Sequence, residues 1–114
     1  MVKKRKVATK RFIDSLCNVL SSKKAEDIKI INTTKKTSEF DYMVIVTANG
    51  KYHIEAIADE VEKFIENNNI TVLGKDVNPE TGWIVFDLVH TVIHIMSPEV
   101  REYYSLERIW ETPK

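Results

Sequence analysis

The sequence predicts one α/β (α+β) domain, a mixed sheet of about five strands flanked by about three helices in the order α-β-β-α-β-β-β-α. Three observations predict it. Apolar residues recur at helical spacing in three stretches, short β-branched runs separate those stretches, and 114 residues suffice for a single core without disulfides or metal.

The first helix is read over Thr9 to Ala25, where Phe12, Ile13, Leu16, Cys17 and Leu20 form one amphipathic stripe. Asp27 to Thr33 is β-branched and strand-sized, and the polar Thr34 to Ser38 makes the turn after it. Tyr42 to Thr47 (YMVIVT) is near-continuously apolar, which predicts the middle strand of the sheet, covered on both faces. Asn49-Gly50 ends that strand. Ile54, Ile57, Ala58, Val61 and Ile65 then mark a long helix with an acidic outer face. Asn67 to Asn69 stops the helix, and Thr71 to Val77, interrupted by Gly74, is a short strand. If that strand runs parallel to Tyr42–Thr47, the connection is a right-handed crossover.

Gly82 to Met96 (GWIVFDLVHTVIHIM) reads as a β-hairpin of strands Trp83–Leu88 and Thr91–Met96 around Val89-His90. Period-two alternation places Ile84, Phe86, Leu88, Ile93 and Ile95 on a core face, and Trp83, Val85, Asp87, Val92, His94 and Met96 on the other. Two readings fit that mixed face equally. One is the centre of a protein interface, where an aromatic anchor is desolvated beside a few polar groups. The other is a second buried layer under a helix, with Asp87 and His94 satisfied internally. Ser97-Pro98-Glu99 opens the last helix as N-cap, first-position proline and first-turn acid, and Tyr103, Leu106 and Trp110 form its packing seam.

The formal net charge of zero conceals an asymmetry: residues 1–24 carry +7 and residues 25–114 carry −7. A flexible basic leader is expected at 1–8, ahead of a domain at 9–114. Its Lys3 to Lys6 cluster suits either a solvated tail or a peripheral contact with RNA phosphates. Neither an apolar run of roughly 20 residues nor a secretory-type start is present, so a cytoplasmic protein with no membrane contact is expected. The single Cys17 points the same way, to a reducing compartment.

Catalytic chemistry finds little support. Lys51 and His53 stand near a helix start after Gly50, where an anion could bind, but the loop has one glycine and no Lys-Ser/Thr pair. Asp87 lacks an acidic neighbour two residues on, as a nucleotidyl-transfer centre with Mg²⁺ would need. His90 and His94 are about 13 Å apart along a strand, too far to share a zinc ion. Neither Cys17 nor any serine sits in a nucleophile motif. No enzyme, cofactor, metal or DNA partner is expected, and a nucleotide-binding or nucleotidyltransferase-like enzyme is the alternative reading.

The residues SEFDYMVIVTANGKYHIEAIADEV, followed by GWIVFDLVHTVIHIMSPEVREYYSLERIW, resemble the ribosomal silencing factor family, also called Iojap-related proteins. The likeness spans Asp27 to Trp110. It is carried by Phe40-Asp41-Tyr42, by His53 with Ile57-Ala58-Asp59, by Trp83 to Asp87, by His94, and by Arg101, Tyr104, Leu106, Glu107 and Trp110. The resemblance implies a homodimeric α/β protein that binds the large ribosomal subunit through its protein number fourteen. By blocking association with the small subunit, it would repress translation when nutrients are scarce, without turnover. It further implies a docking surface on the hairpin, giving Trp83, Asp87, Leu88, His90, His94 and Met96 as candidates. The chain departs from the family at Val89, where a glycine is usual, at His90, where an acid is usual, and at Lys51-Tyr52.

Overall fold

A computed structural model describes residues 10–111. The expected basic leader at 1–8, with its RNA-contact reading, and Thr9 lie outside the described residues.

The elements are α1 (Lys10–Ser22), β1 (Glu26–Asn32), β2 (Tyr42–Thr47), α2 (Lys51–Asn67), β3 (Val72–Asp76), a 3₁₀ turn at Pro79–Thr81, β4 (Trp83–Leu88), β5 (Thr91–Met96), α3 (Pro98–Tyr104) and α4 (Leu106–Glu111). The five strands form one sheet in the order β1-β2-β5-β4-β3, antiparallel except for the β2–β5 pair. The expected fold class is therefore the observed one, with two corrections of detail.

The first concerns the middle of the sheet. β5 is central and buried at all six positions, while β2 stands one place off centre beside the edge strand β1. Composition cannot separate the two, because both are covered on both faces. Connectivity decides it: α2 carries the chain from β2 to the far edge at β3. The chain returns through β4, and β5 fills the gap beside β2. β3 runs in the direction of β2 without touching it.

The second concerns the C-terminal helix, which is two short helices rather than one. Ser105 adopts the left-handed conformation (φ 49°, ψ 50°) and its N–H bonds the Arg101 carbonyl, which closes α3. The break rotates the following residues. Leu106 and Trp110 pack on the sheet, while Tyr103 is 82% exposed and leaves the expected seam.

The two sheet faces are covered unequally. On one side α1 and α2 enclose Leu16, Leu20, Val44, Val46, Ile57, Val61, Ile84, Phe86, Leu88, Ile93 and Ile95, all essentially solvent-free. On the other, α3 and α4 rest on β5 and β1 and enclose the smaller cluster of Ile31, Met43, Ile45 and Met96, with Phe40, Trp83, Val100, Leu106 and Trp110 at its margin. That second layer stops short of β4, where Trp83, Val85 and Asp87 remain half-buried between the fully enclosed Ile84, Phe86 and Leu88.

Arg101 fixes the position of that partial layer. Its guanidinium donates to the Asp27 carbonyl (2.7 Å), to Thr47 Oγ1 (2.8 Å) and to Glu107 Oε2 (2.9 Å), joining α3 to β1, β2 and α4. A bulge in β1 turns the Asp27 carbonyl towards it, with Asp27 itself at φ 53°. Partial burial works to raise the Glu107 carboxyl, but its backbone N–H and the Arg101 charge outweigh this and hold it below the usual range.

Arg101→Leu strands the Asp27 carbonyl, Thr47 Oγ1 and Glu107 together, so the expected loss of stability is about 2–4 kcal/mol in urea unfolding. A loss below about 0.5 kcal/mol would show that α3 and α4 hold their places without it.

Candidate partner-binding face

The β4–β5 hairpin carries the candidate residues, and its register is the expected one. Trp83 pairs with Met96, Val85 with His94 and Asp87 with Val92, which puts these six side chains on one face. Val89-His90 connects the strands without a positive φ at either residue, so the turn is not of the primed type that glycine would permit. β3 extends the face, since Asp76 lies opposite Val85 and Gly74 opposite Asp87. Sequence periodicity could not supply these two residues, because the β3 bulge between Val72 and Gly74 shifts the alternation. The acids Asp76 and Asp87 thus flank Val85, and neither is in an ion pair among the described residues.

Trp83 sits at the edge of this face. Its indole Nε1–H donates to His94 Nδ1 at 3.0 Å, and its ring lies 4.8 Å from that of Tyr104 on α3. Tyr104 in turn meets Tyr103 edge-on at 4.9 Å, so an aromatic ridge climbs from the buried imidazole to the surface. Gly82 permits the close approach of β4 to α3. It has φ 77°, and a Cβ there would lie 3.1 Å from Ser97 Oγ and 3.3 Å from Val100 Cγ2.

The hydrogen bond from Trp83 assigns the neutral His94 tautomer with Nδ1 as acceptor and the proton on Nε2. Nε2 is buried and has no partner among the described residues, at a cost of about 1–3 kcal/mol. Burial lowers the His94 pKa from 6.5 to about 4.

The remaining expected site residues lie deeper. Leu88 is in the helix-side core with no exposed surface, and Met96 is fully enclosed beneath α3 and α4. His90 is buried at the hairpin tip, edge-on to Phe12 of α1 at 4.8 Å. Its Nδ1 is 2.9 Å from Thr91 Oγ1, and its carbonyl accepts from the Asp41 and Tyr42 N–H groups. The structure therefore brings Trp83, Asp87 and His94 together with Val85. It does not present Leu88, His90 or Met96 at the surface, because Leu88 packs under α1 and α2, His90 against Phe12, and Met96 under α3 and α4.

The loop after β2 is occupied structurally. Lys51 Nζ is 2.6 Å from Glu80 Oε2, a hydrogen bond and charge that raise its pKa. His53 Nδ1 accepts from the Asn49 N–H and Nε2 donates to the Lys23 carbonyl, both at 2.8 Å, tying the start of α2 to the end of α1. Cys17 is half-buried, and burial together with Asp14 raises its thiol. Among the described residues no group of three His, Cys, Asp or Glu is placed to hold a metal, and no helix is long and apolar enough to cross a membrane.

The unfolded chain takes up the His94 proton near pH 6.5 and the folded chain only near 4. The contribution of neutral His94 to stability is thus complete above pH 6.5, is lost as pH falls through that window, and changes no further below 4. The whole loss is about 3 kcal/mol at about 1.4 kcal/mol per unit. Urea midpoints at pH 7 and pH 4.5 are expected to diverge by most of this between the wild type and His94→Asn, whose side chain does not titrate. Parallel pH profiles would contradict it.

A sequence profile of the family described as "Ribosomal silencing factor during starvation" matches residues 6–114. The ribosomal silencing factor RsfS of Chromobacterium violaceum is 30% identical over 76% of this chain and 71% of its own. That of Bacillus subtilis is 32% identical over 77% of this chain and 75% of its own. A crystal structure of a Chromobacterium violaceum protein superposes with a TM-score of 0.84 at 27% identity, covering 94% of this chain and 90% of that one. With a family match over residues 6–114 and relatives at 30% identity or more, the chain belongs to the ribosomal silencing factor family.

Proposed function

We propose that the chain binds the large ribosomal subunit through its protein number fourteen, sterically blocks association with the small subunit, and so represses translation under nutrient limitation. The observation that carries this reading is the half of the sheet face left open by α3 and α4. It combines an aromatic anchor, Trp83, an apolar floor at Val85, and the carboxylates Asp76 and Asp87, which have no ion pair among the described residues. Family membership supplies the ribosomal setting.

Such a surface suits a basic protein of the ribosome, because desolvated aromatic anchors give affinity and complementary charge gives specificity. Occupancy alone performs the task, and the chain needs no turnover, cofactor or metal for it. Trp83, Val85, Asp87 and Asp76 make the direct contacts, while Leu88, His90 and Met96 shape the hairpin from beneath. The protein works in the bacterial cytoplasm as a homodimer, and Lys3 to Lys6 add a peripheral contact to ribosomal RNA.

Sedimentation of purified subunits tests the proposal. The wild type is expected to travel with the large subunit and suppress joining, and Asp87→Arg, at matched thermal stability, to do neither. Trp83→Ala is expected to weaken binding by about 2 kcal/mol or more, roughly thirtyfold. Failure of the wild type to bind the large subunit would overturn the proposal.

A further inference from the structure

We propose that His94 is the positioning residue of the docking face: its neutral imidazole holds the Trp83 indole in one orientation, so that a basic side chain of the partner meets the ring and not the indole N–H. The inference rests on the docking reading above and adds the chemistry of the contact.

The geometry leaves the indole little choice. Trp83 and His94 are diagonal neighbours on adjacent strands, and the bond between them is 3.0 Å with ring centroids 5.9 Å apart. On α3 the Tyr104 ring packs against the same indole at 4.8 Å. Trp83 is therefore held at its nitrogen by β5 and at its ring by α3. An anchor held this way loses less conformational freedom on binding than a free one.

Tryptophan has a single polar atom, a donor, and here His94 uses it. What remains for a partner is the π surface, which attracts cations and apolar groups. Asp87 and Asp76 lie on the same side of the sheet and carry no ion pair among the described residues, which selects the cation. The matching partner group is a lysine or, better, a planar arginine.

His94 itself is 8% exposed, and its Nε2–H has no partner among the described residues. A leucine would fill similar space without that stranded donor, so the imidazole contributes through Nδ1. Across the strands His94 faces Ile45 of β2 and Val85 of β4; the ionisable groups on this side of the sheet are Asp87 and Asp76 around Val85, Lys29 of β1 opposite Ile45, Tyr104 and Arg101 of α3, and Glu107 of α4. None of them hydrogen-bonds the ring among the described residues, so its proton alone governs the bond to Trp83. Protonation makes Nδ1 a donor and breaks that bond.

The test compares His94→Leu with His94→Asn, because asparagine can place an acceptor near the position of Nδ1. The Trp83 indole N–H resonance is expected to be hydrogen-bonded in the wild type, to shift cooperatively as His94 protonates in acid, to persist in His94→Asn, and to be lost in His94→Leu. With purified large ribosomal subunits, His94→Leu is expected to bind about tenfold more weakly, and His94→Asn within about threefold of the wild type. Wild-type affinity in His94→Leu, or equal loss in both variants at matched stability, would overturn the assignment. If the wild type itself bound no large subunit, the docking reading would fall, and the contact chemistry with it. The resonance would still report separately whether His94 orients Trp83.

Discussion

The Arg101 guanidinium is the interaction on which the asymmetry of this protein depends. Short helices such as α3 and α4, of seven and six residues, have little stability of their own and take their places from tertiary contacts. Arg101 supplies those contacts at the β1–β2 end of the sheet, through the Asp27 carbonyl, Thr47 and Glu107. Because the helices are held there, the face over β3 and β4 stays open. A longer C-terminal helix, uninterrupted at Ser105, would extend in a straight line and could not turn Leu106 and Trp110 onto the sheet.

The open face is also ordered. Its anchor, Trp83, is tied to His94 on the central strand and packed against Tyr104, while the carboxylates further along the face, Asp76 and Asp87, have no ion pair among the described residues. The buried Nε2–H of His94, which has no partner among the described residues, is a cost to the isolated chain. Costs of this kind concentrate where a surface is shaped for another molecule rather than for the fold alone. They also separate the two readings of the hairpin face: Met96 and Val92 behave as a buried layer, while Trp83, Val85 and Asp87 remain accessible.

The features that first suggested chemistry are structural clamps. His53 uses both ring nitrogens to join α1 to α2, Lys51 pairs with Glu80, and His90 seats the hairpin tip against Phe12 and the start of β2. A histidine near a helix start reads the same in sequence whether it binds an anion or a backbone carbonyl. Only the position of Lys23, thirty residues earlier, distinguishes them.

By itself the sequence determined every element but the break at Ser105, because period and capping are local. β2, β4 and β5 lie where alternation and apolar runs place them, Ser97 caps α3 as its hydroxyl and Pro98 require, and the hairpin register follows from strand length. It also determined that Trp83, Asp87 and His94 share one face, since a two-stranded register needs no distant contact. Tertiary structure alone decided which strand is central, which expected contacts are buried, and that Asp76 and Gly74 join the face. Those outcomes depend on the path of α2 across the sheet, on the bulge in β3 and on where Arg101 holds the last helices. Each is a pairing between residues far apart in the chain, and no local pattern encodes it.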